Sequence, residues 1–399
     1  MNHFRDVHSP SFADFELLRP NAATHFPHSV ECGSRWGTYG SSSSWSNTVI
    51  SSAIGEQFER KHFYLDVPVH ESGSLASVLT REECKSFIDA FTQTTSKNFY
   101  INLESHHFDL TRAYRLKDLT ACKVPTACIS IFSRTNQIDD CIYPIRDTCG
   151  CSTHITLENA MVGALKEAIE RQFLLRFWLT KSCTGIINHD KCHKALGERS
   201  SALLLDELKK SGELCALDLS DQRFPGHCVL LCYGNSKHQH EKVRYCAGMS
   251  YASTLSEALE KSILELWQTF RFMQTFDEAD QSSNIEDPYL KHFLSCNHHE
   301  TYKNITSNIL FRPRDTNTAP TPFNLHNLKK ALTDLRLDGY LYISSTHTKH
   351  SPLYFCKYFS PHFFLHMNNS TNFNTHNTYS HEFSEEILTH QLSSMVPFP

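Results

Sequence analysis

The chain has 399 residues and a mass of 45.8 kDa, and its 40% hydrophobic and 20% charged residues describe an ordinary globular protein able to bury a large core. A formal charge of −5 and a pI near 6.6 exclude a global attraction to nucleic acid or anionic membrane, so any nucleotide or peptide must be bound locally. No apolar run approaches the ~20 residues that span a bilayer. The N-terminal MNHFRDVHSPSF lacks a signal-peptide core, so the expected compartment is the cytoplasm, and the 15 cysteines there read as buried thiols.

Residues 1–50 are rich in Ser, His, Gly and Pro and predict an irregular or partly extended lead-in. Within them GTYGSSSS at 37–44 runs into a first helix. Such a segment can offer N–H groups and hydroxyls, Ser41 among them, to phosphate, and it reads equally well as a flexible loop. The helix carries Ala53-x-x-Glu56-x-x-Glu59-Arg60, and the same A-x-x-E-x-x-E-R returns as Ala164, Glu167, Glu170 and Arg171. Residues three and four apart share a helix face, so each copy presents two carboxylates and a guanidinium together.

A single E-x-x-E-R is ordinarily a solvated, salt-bridged face. Repetition at the same offset, and apolar company such as Phe58, Phe63, Met161, Leu165, Ile169 and Phe173, point instead to packed helices. Clustered carboxylates in that setting suit Mg²⁺, which keeps substrate phosphates in its shell. The two helices therefore suggest a Mg-nucleotide site.

Thr80 to Glu83 is a capping box that starts a short helix towards Phe91, and 98–103 and 127–132 read as strands. Cys149, Cys151 and His154 lack a fourth zinc ligand and the C-x₂-C spacing, so DTCGCSTH at 147–154 reads as a tight turn before the second motif helix. Residues 181–197, with Asn188, His189, Asp190 and His193, resemble a polar connection with surface histidines. Strands follow at 214–219 and 228–233. A third helix opens at Thr254 with another capping box, where Glu257, Glu260 and Lys261 read as capping and solvated. Further along it, Glu265 and Gln268 lie one turn apart. They could bind a metal-bound water or a nucleotide, or form a hydrogen-bonded core pair.

The stretch 277–322 turns polar, as in an insertion around a short helix near Leu290. A helix is expected at 325–335 and strands at 339–343 and 353–359. The tail ends MVPFP, in which Pro-Phe-Pro can lie as a stiff strip carrying the terminal carboxylate of Pro399 into a cleft, though chain termini are commonly disordered.

Taken together, SAIGEQFER at 52–60, DTCGC at 147–151 leading to EAIER at 167–171, Ala258-Leu259 through ELWQ at 265–268, SPHFFLHM at 360–367 and the terminal MVPFP resemble the YcaO family. Within it the likeness is to the ATP-dependent cyclodehydratase subunits of microcin-B-type azole synthetases, and it covers nearly the whole chain. The resemblance implies an α/β fold with helices packed on largely antiparallel sheets and the ATP site between the E-x-x-E-R helices. It also implies one domain over 1–399, with a lead-in to about 36, a polar insertion at about 277–322 and a Pro-rich tail from about 380.

By the same resemblance Glu56, Glu59, Glu167, Glu170 and Glu265 hold Mg²⁺ against ATP. Arg60 and Arg171 face phosphate or orient the glutamates, and Ser41, Ser52 and Gln268 lie at the nucleotide. The family's third motif is usually E-x-x-Q-x-R, but residue 270 is Phe with Arg271 beside it. Gln172 stands where Asp is common after E-R. The implied reaction turns Cys and Ser/Thr of a ribosomally made precursor peptide into thiazolines and oxazolines, by phosphorylation of a hemiorthoamide oxygen. The reaction also needs a base, which the sequence does not identify; the Pro399 carboxylate and the many histidines are the candidates. Implied partners are a leader-binding peptide-recognition subunit and an FMN-dependent azoline dehydrogenase. Two other readings remain at this point: a non-catalytic nucleotide- or peptide-binding assembly subunit, and a YcaO enzyme forming thioamide or amidine.

Overall fold

The computed structural model describes residues 16–18, 26–33, 39–132, 137–236, 242–278, 288–312, 321–347, 351–368 and 372–398. β1 (Glu16–Leu18), β2 (His28–Gly33) and β3 (Tyr39–Ser44) form an antiparallel three-stranded sheet. Of the irregular or partly extended lead-in expected here, the described residues show extended strands, and the supposed Gly/Ser loop is a strand from Tyr39 onward. Its Gly37 and Thr38 lie outside the described residues. Serine is a poor strand former in isolation, and tertiary pairing overrides that preference: β2 places Val30 and Cys32 against Val49 and Ala53, while Ser29 and Ser43 join their hydroxyls across the pair at 2.8 Å.

α1 (Thr48–Lys61) crosses this sheet and passes into one π-helical turn, His62–Asp66. β4 (Glu71–Gly73), α2 (Leu75–Val78) and α3 (Arg81–Thr94) follow, the last with the expected Thr80/Glu83 capping box. Next come β5 (Phe108–Arg115), β6 (Ala121–Pro125), α4 (Gln137–Ile142) and β7 (Cys151–His154). The strands expected at 98–103 and 127–132 do not form. Phe99, Ile101, Leu103 and Ile129 pack into the core from turns, and Thr126–Cys128 is a 3₁₀ turn. Their apolar clustering reported burial, which periodicity alone does not distinguish from pairing.

α5 (Leu157–Thr180) has 15 of its 24 residues buried, the polar Glu170 and Gln172 among them, so most of its surface is covered by the rest of the chain. The expected polar connection after it is instead β8 (Ser182–Cys183), β9 (Gly185–Ile187) and α6 (His189–Leu196). α7 (Ser200–Ser211), β10 (Glu213–Asp218), β11 (His227–Gly234), β12 (Tyr245–Ala252) and α8 (Leu255–Glu278) complete this half. β12 was missed because its eight residues are all buried and show no alternation.

The polar stretch holds α9 (Pro288–Ser295), α10 (His299–Thr306) and β13 (Leu310–Phe311). It is followed by α11 (Leu325–Asp334), β14 (Tyr340–His347), β15 (Pro352–Phe359) and a short α12 (Thr378–His381). A second sheet runs β12-β11-β10-β9, antiparallel throughout. A third runs β4-β5-β14-β15-β7 with β6 on β5, and β13 pairs with β8.

α5 lies between the two larger sheets, against β7 and β15 on one side and β12 on the other, while α8 backs β11 and β12. The expected α/β class with antiparallel sheets is the one observed. The tail docks onto this core. Val396 and Phe398 are buried, Phe398 stands edge-on to Trp178 at 6.1 Å, and Trp178 Nε1 and Tyr245 OH donate to the carbonyls of Ser394 and Pro397 at 2.9 and 2.8 Å. Pro399 lies outside the described residues. No helix among the described residues is long and apolar enough to cross a membrane.

Candidate functional site

Two strands approach their helices too closely for a side chain. A Cβ on Gly40 of β3 would sit 2.2 Å from Ala53 O and 2.4 Å from Gln57 N of α1, and one on Gly248 of β12 would sit 2.2 Å from Leu266 N of α8. That closeness brings Ser41 N–H to Glu56 Oε2 at 2.9 Å and Met249 N–H to Glu265 Oε2 at 3.1 Å. β12 is the edge of its sheet, so alternate N–H groups face away from β11 and need partners. Glu265 takes the one at Met249, and Glu170 of α5 takes the one at Tyr251, at 2.6 Å.

Gln268 Nε2 donates to Ser41 Oγ at 2.5 Å, tying α8 to β3, while Arg60 Nη2 meets Glu56 Oε1 at 3.1 Å. Arg171 Nη2 stands 3.8 Å from Glu167 Oε1, so both motif copies keep the same i,i+4 pair. The charges act on one another across helices. Glu167 feels Glu59 and Glu170 together with Arg171 and Arg60, and Glu265 feels Glu170 and Arg171. The five glutamates, both motif arginines, Ser41 and Gln268 are therefore linked by hydrogen bonds and by charge across α1, α5 and α8, although no three of the carboxylates bring oxygens within 4.8 Å of one another.

Burial pushes Glu59 up to about 7 and Glu167 up to about 8, in each case reinforced by a neighbouring glutamate and only partly offset by arginine. The surrounding protein, and then Glu170, push Glu265 up as well, although part of that side chain stays open. Burial opposes the charge on Arg171, yet Glu167 and Glu170 hold it above its ordinary range. Arg60 and Arg171, even with Lys357 acting on Glu59 and Lys166 and Lys261 acting near Glu265 and Glu170, do not bring Glu59, Glu167 or Glu265 back to the ordinary carboxylate range. A divalent cation would supply the missing charge, and oxygen-only donors are what Mg²⁺ takes, so this donor set fits the ion.

Ser52 does not join the cluster through any hydrogen bond among the described contacts; it lies exposed on α1. Phe270, at the third-motif arginine position, stacks on Trp267 at 5.7 Å and meets Tyr233 edge-on. Arg271 donates to Gln274 at 2.7 Å and acts on Glu31. The Asp147 turn holds no zinc set among the described residues; Cys149 donates to Asp147 Oδ2 at 3.2 Å.

Sequence reasoning missed the supports. Thr153 of β7 stands beside Glu59 and lowers its carboxyl, and Lys357 acts on it from β15. Asp147 Oδ2 accepts from Met367 N–H at 2.7 Å, and Gln172 both accepts from Phe364 N–H (3.0 Å) and donates to its carbonyl (3.2 Å). Gln172 and Asp147 thus pin the 360–367 segment beneath the cluster. A cavity of about 320 Å³ near Arg176, Asp221, Arg223 and Glu382 lies apart from these acids, and its charges pair among themselves.

Carboxylates and guanidiniums converging from three helices on an α/β scaffold define a class of protein that holds hard divalent cations and phosphate together. The profile of the YcaO family, described as an ATP- and Mg²⁺-binding cyclodehydratase, matches residues 50–363. The chain belongs to the YcaO family. It is similar to the microcin B17-processing protein McbD of Escherichia coli, with 32% identity over 356 residues, 88% of this chain and 87% of that one. Two structures of the E. coli microcin synthetase McbBCD complex, one with pro-MccB17 bound, each match at a TM-score of 0.88 with 30% identity and 99% of both chains covered. YcaO from Methanopyrus kandleri, solved with AMPPCP and Mg²⁺, shares the fold at a TM-score of 0.55 with 11% identity, over 88% of this chain and 86% of that one.

Proposed function

We propose that the chain is the ATP-dependent cyclodehydratase of an azole synthetase, and that Glu56, Glu59, Glu167, Glu170 and Glu265 hold its Mg²⁺. The observation that carries the assignment is the convergence of these five carboxylates with Arg60 and Arg171 between α1, α5 and α8. Magnesium, when bound there, would neutralise phosphate charge. Arg60 and Arg171 orient the glutamates and meet phosphate, and Ser41 and Gln268, already joined to each other, line the nucleotide. Ser52, open to solvent on the same helix, belongs to the nucleotide side of the cleft in this reading.

The substrate is a precursor peptide, supported by the likeness to a synthetase solved with pro-MccB17 bound. A Cys thiol or Ser/Thr hydroxyl of the peptide adds to the preceding amide carbonyl, and the resulting hemiorthoamide oxygen takes the γ-phosphoryl group of ATP. Loss of phosphate with a proton then leaves the azoline. No protein nucleophile is needed; positioning and charge neutralisation carry the step. The base is the terminal carboxylate of Pro399, supported by the docking of Val396 and Phe398 against the core.

By the same likeness the chain works beside a leader-binding subunit and an FMN-dependent dehydrogenase, in the cytoplasm, as one domain over 1–399. Calorimetric titration of Mg-ATP tests the site. Binding by wild type that disappears in Glu56→Gln and Glu167→Gln is expected, and equal binding in all three would remove the metal assignment.

A further inference from the structure

Away from the acid cluster, a second set of donors converges on the outer face of the molecule. Asn188 accepts from Lys191 N–H at 2.9 Å, which starts α6 at His189 and places His189 and His193 one turn apart on one face, ring centroids 4.5 Å apart. Gly197, at φ +60°, ends the helix and lets α7 return past it. Asp206 of α7 then lies with Oδ1 2.8 Å from His193 Nε2 and 3.2 Å from His189 Nε2. These three ligand atoms fall within 4.8 Å of one another, and no other such group occurs among the described residues.

His193 hydrogen-bonds Asp206. His189 Nε2, shut from solvent and aimed at the same oxygen, has no hydrogen-bond partner. A ring nitrogen left so costs about 1–3 kcal/mol unless something else satisfies it.

We propose that His189, His193 and Asp206 form a Zn²⁺ site that staples α6 to α7. Two imidazole nitrogens and one carboxylate oxygen are donors zinc takes at ~2.0–2.2 Å, and the fourth position falls to water because the three side chains are 29%, 34% and 36% exposed. The site is chemically distinct from the five-glutamate cleft, whose oxygen-only set suits a harder ion. Its place gives it a consequence: α6 and α7 both pack on α8, which carries Glu265 and Gln268. The ion would brace the back of that helix without touching nucleotide or peptide.

Zinc is titrated calorimetrically into the full chain after chelator treatment, with Mg²⁺ in excess to occupy the carboxylate cleft. Wild type is expected to show one saturable site. His193→Ala and Asp206→Asn should each weaken it by roughly 10–100-fold or more, a loss that even outer-shell changes at metal sites cause. His299→Ala, which removes a histidine paired with Glu213 elsewhere, should leave it unchanged. Asp206→Asn keeps shape and volume, so it decides the matter if His193→Ala fails to fold by circular dichroism. No saturable binding in wild type, or unchanged affinity in Asp206→Asn, overturns the proposal.

Discussion

Glu170 on α5 accepts the backbone N–H of Tyr251 at 2.6 Å, so one of the glutamates assigned to metal is also a cap on the open edge of β12. This double use separates two substitutions. Glu170→Gln keeps an oxygen for the N–H and removes the charge; its urea midpoint should stay close to wild type while Mg-ATP binding is lost. Glu170→Ala leaves a buried N–H without a partner and should cost about 1–3 kcal/mol as well. Equal stability of the two variants would show that the bond to Tyr251 contributes nothing.

Gly248 makes the same point for α8. A methyl there would lie 2.2 Å from Leu266 N, 2.3 Å from Ser262 O and 2.8 Å from Glu265 C, all backbone atoms that cannot swing away. Gly248→Ala should therefore push strand from helix, cost about 1–3 kcal/mol, and weaken Mg-ATP binding by moving Glu265. Gly33→Ala, with nothing within 4 Å of the added carbon, is the control. Intact nucleotide binding in Gly248→Ala would show that the cleft tolerates the shift.

Much of this site was legible in the sequence because helical periodicity fixes which side chains share a face. Two E-x-x-E-R copies, and Glu265 with Gln268, need only a helix to be read, and all three helices formed. What the sequence hid depends on neighbours remote along the chain. Ser41 was suspected as part of a loop, yet it acts from a strand whose serines pair with β2. Gln172 looked like a departure from the family pattern, and its partner is the backbone of Phe364, 192 residues away. The same limit hid His189 and His193. Their spacing was visible, but Asp206 comes to them only through the turn at Gly197 and the return of α7.

Gln172 gives a stability prediction of its own. Its amide is buried and meets both the N–H and the carbonyl of Phe364, so Gln172→Ala orphans two backbone groups at once. A loss of about 2–4 kcal/mol is expected in urea unfolding, somewhat more than one such bond contributes alone. A loss below about 0.5 kcal/mol, the scale of ordinary surface changes, would mean that water replaces the amide.

His62 predicts a pH dependence. Its ring stacks on Phe355 at 4.0 Å and its Nε2 lies 3.0 Å from Tyr342 OH, and burial pushes the imidazole down to about 3. Between pH 6.5 and 3 the unfolded chain takes up a proton at this residue and the folded chain does not. Its contribution is therefore complete above about pH 6.5 and is lost as pH falls towards 3, at up to ~1.4 kcal/mol per pH unit. Replacing it with Phe should shrink the stability difference between pH 7 and pH 5 by about 2 kcal/mol. An unchanged difference would mean that the folded site admits the proton.

The C-terminus separates packing from chemistry. Phe398 is buried against Trp178, and the carbonyls of Ser394 and Pro397 are held by Trp178 and Tyr245, so the tail is fastened before its last residue. Phe398→Ala should cost about 3–5 kcal/mol, the usual loss for a buried Phe, and ring formation should fall with it. Removing Pro399 alone leaves that packing in place, so the unfolding midpoint should stay within about 0.5 kcal/mol of wild type. It displaces the terminal carboxylate by one residue, and ring formation on the precursor peptide should then collapse while Mg-ATP binding persists. Full turnover in the stable, nucleotide-binding Pro399 deletion would remove the carboxylate from proton transfer and return the search for a base to the histidines.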